Sequence, residues 1–322
     1  MAEEFIIIYS SILAERNKKI ERRRLLEHLR DTTNPFSMQE SVFMQTFRMP
    51  RSPHDSQRTG LPFPIRFVSV LYFYAHGSYQ KCVGTNYIVP MSQASVSRCL
   101  GEISKLIATV KGSEIHFPQT MMEKTAVKTG FHSILYMNRK GYYSKNVEAV
   151  CDHLLRFTAI NAKYPGSCRD SGIWTTSAIR IHLIRTHAAQ TNAWLLGDSG
   201  YPLEPWLITP IADPSNRKEE QINKLHVKAR NAVERAFGVL KARFRCLLKH
   251  QTLHYSHEKA ANITYACAIL HNILITNRVP MEVEEICELP PFNNAANETT
   301  NNHGTFRESQ RIRNRCVESL PE

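Results

Sequence analysis

The spacing of apolar residues predicts three short helices between residues 65 and 108. The first covers 65–75 and the second about 79–85. The third starts after Ser92 and is amphipathic, with Val96, Leu100, Ile103 and Ile107 along its apolar side. Its opposite side is polar and basic and carries Gln93, Ser97, Arg98 and Lys105.

Three short helices with a polar, basic third helix are typical of a helix-turn-helix that reads the major groove of DNA. The four residues on the polar side of the third helix are then candidate DNA contacts. An ordinary helical subdomain has the same pattern, so the spacing alone leaves both interpretations open.

Strand patterns follow in the middle of the chain. Residues 144–165 alternate as a hairpin that turns at Asp152 and His153 and stops at the Pro165-Gly166 pair. A short apolar run at 193–197 predicts a buried strand whose carboxyl end presents Asp198.

Two long helices are predicted towards the C-terminus, over 219–248 and 257–276. Lys and Arg occupy ten positions between Arg217 and Lys249, against three acids, so the first of these helices is strongly basic. Beyond Pro290 the chain becomes rich in Asn, a composition that predicts no regular structure.

These patterns divide the chain into five parts. Residues 1–50 form a basic helical arm, in which six of the nine residues from Arg16 to Arg24 are Lys or Arg. Such an arm is either a solvated helix face or a nuclear import or phosphate-binding segment. The other parts are a proline-rich linker at 51–64, the helix-turn-helix-like region at 65–110, an α/β domain at 111–280 and an Asn-rich tail at 281–322.

Composition adds a polyanionic partner to this picture. The 41 basic residues exceed the 29 acids by twelve, which favours nucleic acid first and an acidic membrane surface second. The longest early apolar run, 5–8, is too short to cross a bilayer, and it follows two acids, so we expect an intracellular protein without a membrane span. The eight cysteines contain no CxxC pair and are expected to be reduced thiols.

Three acids on separate elements are candidate metal ligands: Asp170, Asp198 and Glu234. Each has an ordinary alternative, since Asp170 suits a helix N-cap and Glu234 could pair with Arg230 or Arg235. Together, in a basic protein, they suit phosphodiester cleavage, which uses carboxylates to hold Mg²⁺ or Mn²⁺.

Two blocks of the sequence resemble the signatures of the harbinger transposase-derived nucleases, the PIF/Harbinger branch of the DDE transposases. They are WLLGDSGYPLEPWLITP (194–210) and ARNAVERAFGVLKARFRCL (229–247). Three further blocks agree: YMNRKGYYSKNVEAVCD (136–152), YPGSCRDSGIW (164–174) and CAILHNI (267–273).

This resemblance implies an α/β fold, an RNase H-like catalytic domain preceded by the helical region. It makes Asp198 the second catalytic Asp, Glu234 the final Glu and Asp170 a further ligand of a divalent cation, Mg²⁺ or Mn²⁺. It also implies a protein of the nucleus, or of the nucleus and the cytoplasm, that acts on DNA with a separate Myb-like DNA-binding partner. Arg230 and Lys241, on the basic helix, join the candidate DNA contacts.

The resemblance fails at the first catalytic Asp, which in the family lies in a G-x-I-D-G-T-H block before the NRKG motif. No Asp occurs between Asp55 and Asp152. We therefore expect an RNase H-like domain lacking its first strand. Residues 131–137 could slide into the gap, but they would bring no carboxylate. Two functions remain open: an impaired metal-dependent nuclease, or a non-catalytic DNA- or protein-binding relic.

Overall fold

A computed structural model describes the chain at residues 21, 24, 39–48, 63–77, 80–85, 91–118, 132–135, 145–165, 168, 170–187, 194–248, 253, 255–280 and 303–318. Most of the basic arm, most of the proline-rich linker and the Asn-rich stretch before 303 lie outside these residues. The chain divides into two compact units. One comprises Met1–Leu106 with Arg243–His254, and the other Ile107–Ala242 with Tyr255–Glu322.

The first unit is helical, and the predicted helices are confirmed. Its helices are α1 (Glu40–Phe47), α2 (Phe63–His76), α3 (Gln80–Thr85) and α4 (Gln93–Lys111), which runs on into the second unit. The apolar side of α4 is buried as the periodicity predicts, with Val96, Leu100 and Ile103 at 2% exposure or less. Gly77 ends α2 in the left-handed conformation, φ 64°, and its N–H donates to Phe73 O at 2.8 Å.

The second unit is built on a five-stranded sheet. Its strands are β1 (His132–Leu135), β2 (Lys145–Cys151), β3 (Phe157–Pro165), β4 (Leu195–Leu196) and β5 (Leu207–Ile208), in the order β3-β2-β1-β4-β5. The β1–β2 and β2–β3 pairs are antiparallel, whereas β1–β4 and β4–β5 are parallel. Thus β2 and β3 form the predicted hairpin.

The sheet does not lack a central strand; the alternative, in which residues from 131–137 fill the gap, is confirmed. The segment His132–Leu135 takes the central position, paired with β2 on one side and β4 on the other. The physical reason is that buried strand edges need hydrogen-bond partners. Without β1, the facing edges of β2 and β4 would keep unpaired backbone N–H and C=O groups inside the unit. The segment brings no carboxylate, as predicted, because its residues are His, Ser, Ile and Leu.

Helices α5 (Asp170–Thr175) and α6 (Ala178–His187) follow the hairpin, and α7 (Arg217–Arg243) and α8 (His257–Thr276) follow β5. Helix α7 ends five residues before the predicted limit, because Phe244 leaves the helical conformation and a short 3₁₀ turn begins at Arg245. One core cluster joins the sheet to α5 and α6: Val150, Ile173, Trp174, Ile179, Leu183, Leu195, Tyr201, Trp206 and Leu207.

The predicted tail contains a helix, α9 (His303–Glu318), so the expectation of an irregular tail is wrong for these residues. Helix α9 buries Ser309 and Val317, and its last turns line a hollow together with the start of α7. An amphipathic segment gains its helical stability from packing, which composition alone does not reveal. No helix in the described part of the chain is long and apolar enough to span a bilayer.

Candidate metal centre

Asp198 lies two residues after the end of β4, on the carboxyl side of the strand, as predicted. It is 8% exposed, and its Oδ1 accepts the Gly200 N–H at 2.9 Å. Packing is close at the preceding Gly197, where a Cβ would lie 3.1 Å from Leu207 Cδ1 and 3.2 Å from Tyr201 Cγ. The sequence around Asp198 thus builds a tight, ordered turn that holds one buried carboxylate.

The other two predicted ligands lie on helices. Glu234 is half-buried on α7, next to the fully buried Val233. Asp170 is the first residue of α5, which confirms its predicted place at a helix start, but its side chain lies outside the described part of the structure. The side chain of Arg230 lies outside it too.

The side chains of Asp198 and Glu234 offer carboxylate oxygens, which are the ligand type that Mg²⁺ and Mn²⁺ prefer. The number of ligands is small. Among the side chains that the structure describes, no three His, Cys, Asp or Glu come together closely enough to hold a metal ion. Any ion at this place would therefore keep much of its water shell.

The register of the sheet locates the missing acid. His132 of β1 pairs with Leu196, the last residue of β4, in parallel; continuing this register for two residues past the end of β4 would bring Ile134 level with Asp198. Neighbouring residues at one level of a parallel pair share a face of the sheet. We therefore expect position 134, an isoleucine, to be the place in β1 from which a carboxylate could join Asp198.

Sequence reasoning missed a buried carboxylate in the loop after Asp198. Glu204 is 8% exposed and accepts hydrogen bonds from the indole N–H groups of Trp174 and Trp206, at 2.9 and 2.7 Å. Arg180 adds Nε at 2.9 Å and an ion pair at 2.8 Å. The available signal was Trp206, two residues after Glu204. Nothing in the spacing of the sequence indicates that Trp174, thirty residues earlier, also contacts Glu204.

A second missed acid is Glu148 of β2, which is buried opposite Leu135 in the sheet register. Burial raises the pKa of Glu148 to about 6, and a hydrogen bond with Ser177 opposes part of that rise. Glu148 and Val150 share one face of β2 by alternation, the face of the core cluster with α5 and α6. Glu148 therefore belongs to the opposite face from Ala149, which pairs with Ile134.

The candidate DNA contacts on α4 lie mainly on its surface. Gln93, Arg98 and Lys105 are exposed, and Ser97 is half-buried. Lys241 on α7 differs, because it is half-buried and burial lowers the pKa of its ammonium group. The exposed basic positions of α4 are thus better placed for phosphate contact than Lys241.

His271 and Asn272 of α8 form a structural pair, as their apolar surroundings predict. His271 Nε2 lies 2.8 Å from Leu155 O, at the turn of the hairpin. Asn272 accepts the Phe157 N–H and donates to Phe157 O and Glu114 O, at 2.7–2.8 Å. Their hydrogen bonds fasten β3 and a preceding loop to α8.

Comparison with known proteins places this arrangement in a family. The profile described as "DDE superfamily endonuclease" matches residues 121–272, which contain the sheet, Asp198 and Glu234. Over these residues the chain is therefore similar to the DDE superfamily of endonucleases. The resemblance to the harbinger transposase-derived nucleases is confirmed by relatives named "Putative nuclease HARBI1". The one from Bos taurus is 30% identical over 234 residues, 65% of this chain and 66% of its own length.

The same name belongs to a Homo sapiens relative, 30% identical over 64% of this chain and 65% of its own. An Arabidopsis thaliana relative, "Protein ALP1-like", is 28% identical over 44% of this chain and 37% of its own. The chain thus spans just under two thirds of the first relatives' length. No solved structure matches the chain significantly.

Weak metal binding is the expected behaviour of this centre. A hard cation takes six or more oxygen ligands, and few come from protein here. Changing Asp198→Asn removes one, so it should weaken Mn²⁺ binding at least about tenfold, the effect usual even for groups that only support a ligand. Titration calorimetry measures it, with the exposed Asp213→Asn as control. Tight Mn²⁺ binding that Asp198→Asn leaves unchanged would place the site elsewhere.

Proposed function

We propose that the chain is a harbinger-type DDE nuclease homologue that binds duplex DNA and a divalent cation but hydrolyses phosphodiester bonds poorly or not at all. The observation that carries the proposal is the central strand β1, which fills its place in the sheet and contains no carboxylate. It also favours the second candidate, a non-catalytic DNA- or protein-binding relic.

An RNase H-like fold for the second unit is supported by topology. Three antiparallel strands, β3-β2-β1, continue into two parallel ones, β4 and β5, with β1 at the centre. This is the strand order that the family resemblance implies. Helices α2–α4 are the three helices of the proposed helix-turn-helix-like region, with α4 as its reading helix.

Asp198 and Glu234 would hold the cation, Mg²⁺ or Mn²⁺, with Asp170 as a further ligand. When bound, such ions activate water and stabilise the leaving oxygen of a phosphodiester. The chain's own contribution is positional: the turn at Asp198 is rigidly packed, and Glu234 projects from a helix whose apolar side is anchored by Val233 and Phe237. Without an acid in β1, this set is one carboxylate short.

DNA binding is supported by charge. The net charge of +12 favours a polyanion, and Arg98 and Lys105 extend from the exposed side of α4. Residence in the nucleus and a separate Myb-like partner belong to the same proposal, on the ground of the family resemblance alone.

Salt dependence tests the DNA proposal. Each phosphate contact that is lost should flatten the slope of log K against log[salt] by about 0.9, so Arg98→Gln with Lys105→Gln should flatten it by about 2. Fluorescence anisotropy with duplex DNA, at several salt concentrations, measures the slope. The control is Lys163→Gln with Arg185→Gln, which removes the same charge from exposed positions of the other unit. A flat slope for the unchanged chain would overturn DNA binding, and equal effects of both variants would overturn the role of α4.

A further inference from the structure

The buried carboxylate of Glu204 is saturated with donors. Its Oε2 receives the two indole N–H groups of Trp174 and Trp206, and its Oε1 receives Nε and a terminal nitrogen of Arg180, all within 2.9 Å. A carboxylate has about four lone-pair sites, so every one is used. These four hydrogen bonds fix the position of the Glu204 carboxylate, because moving it would leave several buried groups without partners.

The donors come from different elements. Trp206 belongs to the same loop as Glu204, only two residues away, whereas Trp174 lies on α5 and Arg180 on α6. The loop closes on itself between Glu204 and Leu207, whose backbone groups exchange hydrogen bonds at 2.9 and 3.0 Å. Glu204 therefore fastens a closed loop to two helices across 24 to 30 residues of sequence.

Two of the joined elements, the loop and helix α5, carry implied metal ligands. The loop begins at Asp198, and the Asp198 carbonyl accepts the N–H of Tyr201, whose ring meets Trp174 edge-on at 5.8 Å. Helix α5 begins at Asp170, about one turn before Trp174. The bond from Trp174 to Glu204 thus joins the backbone that carries Asp170 to the backbone that carries Asp198.

We infer that Glu204 is a positioning residue for the metal centre: through Trp174 it holds α5 against the loop after Asp198 and keeps the two ligand-bearing backbones at a fixed separation. This inference rests on the proposed function, since it assumes that Asp170 and Asp198 bind the same cation. It adds a role for an acid outside the DDE set.

Two matched variants separate positioning from stability. Replacing Glu204 itself would leave Arg180 and both indoles unpaired and would endanger folding. Trp174→Phe and Trp206→Phe each remove one indole N–H from the same oxygen and keep an aromatic ring. They differ in what they disconnect: Trp174→Phe cuts the bond from the loop to α5, whereas Trp206→Phe cuts a bond inside the loop.

The experiment measures Mn²⁺ binding by electron paramagnetic resonance and hydrogen exchange of the segment 198–201 by mass spectrometry, in the full chain, with thermal unfolding of each variant. Trp174→Phe should raise the Mn²⁺ dissociation constant about tenfold, as loss of a ligand's support does, and should speed exchange in that segment. Trp206→Phe should leave both close to the unchanged chain. Equal effects of the two variants, or none, would overturn the inference. If the unchanged chain binds no Mn²⁺, the proposed metal function fails, and the exchange difference alone decides whether Glu204 holds the loop to α5.

Discussion

No strand cleavage should be detectable when the chain is incubated with plasmid DNA and Mg²⁺, and the single change Ile134→Asp should produce it. Metal ions contribute several kcal/mol of charge stabilisation to phosphodiester hydrolysis. Loss of one ligand from the set removes about 3–5 kcal/mol of it, or about 10²–10⁴ in rate. Because β1 is already in place, a carboxylate level with Asp198 restores the set without adding a strand.

The register supplies the control for this experiment. Ser133→Asp places the same acid one residue earlier in β1, and alternation puts it on the other face of the sheet. A plasmid-nicking assay should therefore show Mg²⁺-dependent nicking by Ile134→Asp, none by Ser133→Asp, and loss of the gained activity when Glu234→Gln is added. Robust nicking by the unchanged chain, abolished in Glu234→Gln, would show that another acid completes the centre and that the relic interpretation is wrong.

Removal of the Asn272 side chain should strongly destabilise the second unit. Asn272 is 2% exposed, and Asn272→Ala leaves three backbone groups, the N–H and C=O of Phe157 and the C=O of Glu114, without their partner. A buried group left unsatisfied costs about 1–3 kcal/mol, so the free energy of unfolding should fall by about 3–5 kcal/mol.

Asn277→Ala is the matched control, because Asn277 is exposed at the end of the same helix and makes one bond, to Ile273 O at 2.7 Å. Its effect should stay below about 1 kcal/mol. Urea unfolding followed by circular dichroism measures both. If Asn272→Ala cost no more than Asn277→Ala, the three bonds would not anchor β3 to α8.

The elements with strong local patterns were predictable from sequence. Helix α8 was predicted over its observed range, 257–276, and α4 was predicted to start after Ser92, because their apolar residues recur at helical spacing. The hairpin turn was predicted for a local reason too: the Asp152 carboxylate accepts the N–H groups of Leu154 and Arg156, both at 2.9 Å, which is ordinary turn chemistry for Asp. Asp198 and Asp170 were placed correctly at a strand end and a helix start.

Elements that are stabilised by residues distant in the sequence were not predictable in this way. Strand β1 has four residues and no local signal strong enough to define it; it forms because two other strands, β2 and β4, need a neighbour. The Asn-rich residues before helix α9 led to the prediction of no regular structure for the whole tail. The helix depends on packing, which composition does not indicate.

The amino-acid sequence by itself determined most of the helices, the hairpin, the basic charge, the family resemblance and the absence of an Asp between Asp55 and Asp152, since each of these depends on neighbouring residues or on composition. Only the tertiary structure decided that His132–Leu135 pairs between β2 and β4 and that Glu204 joins Trp174, Arg180 and Trp206. The physical reason is that strand pairing and the burial of a charge are satisfied by whichever groups the fold brings near. Those groups lie tens of residues apart, where no periodicity connects them.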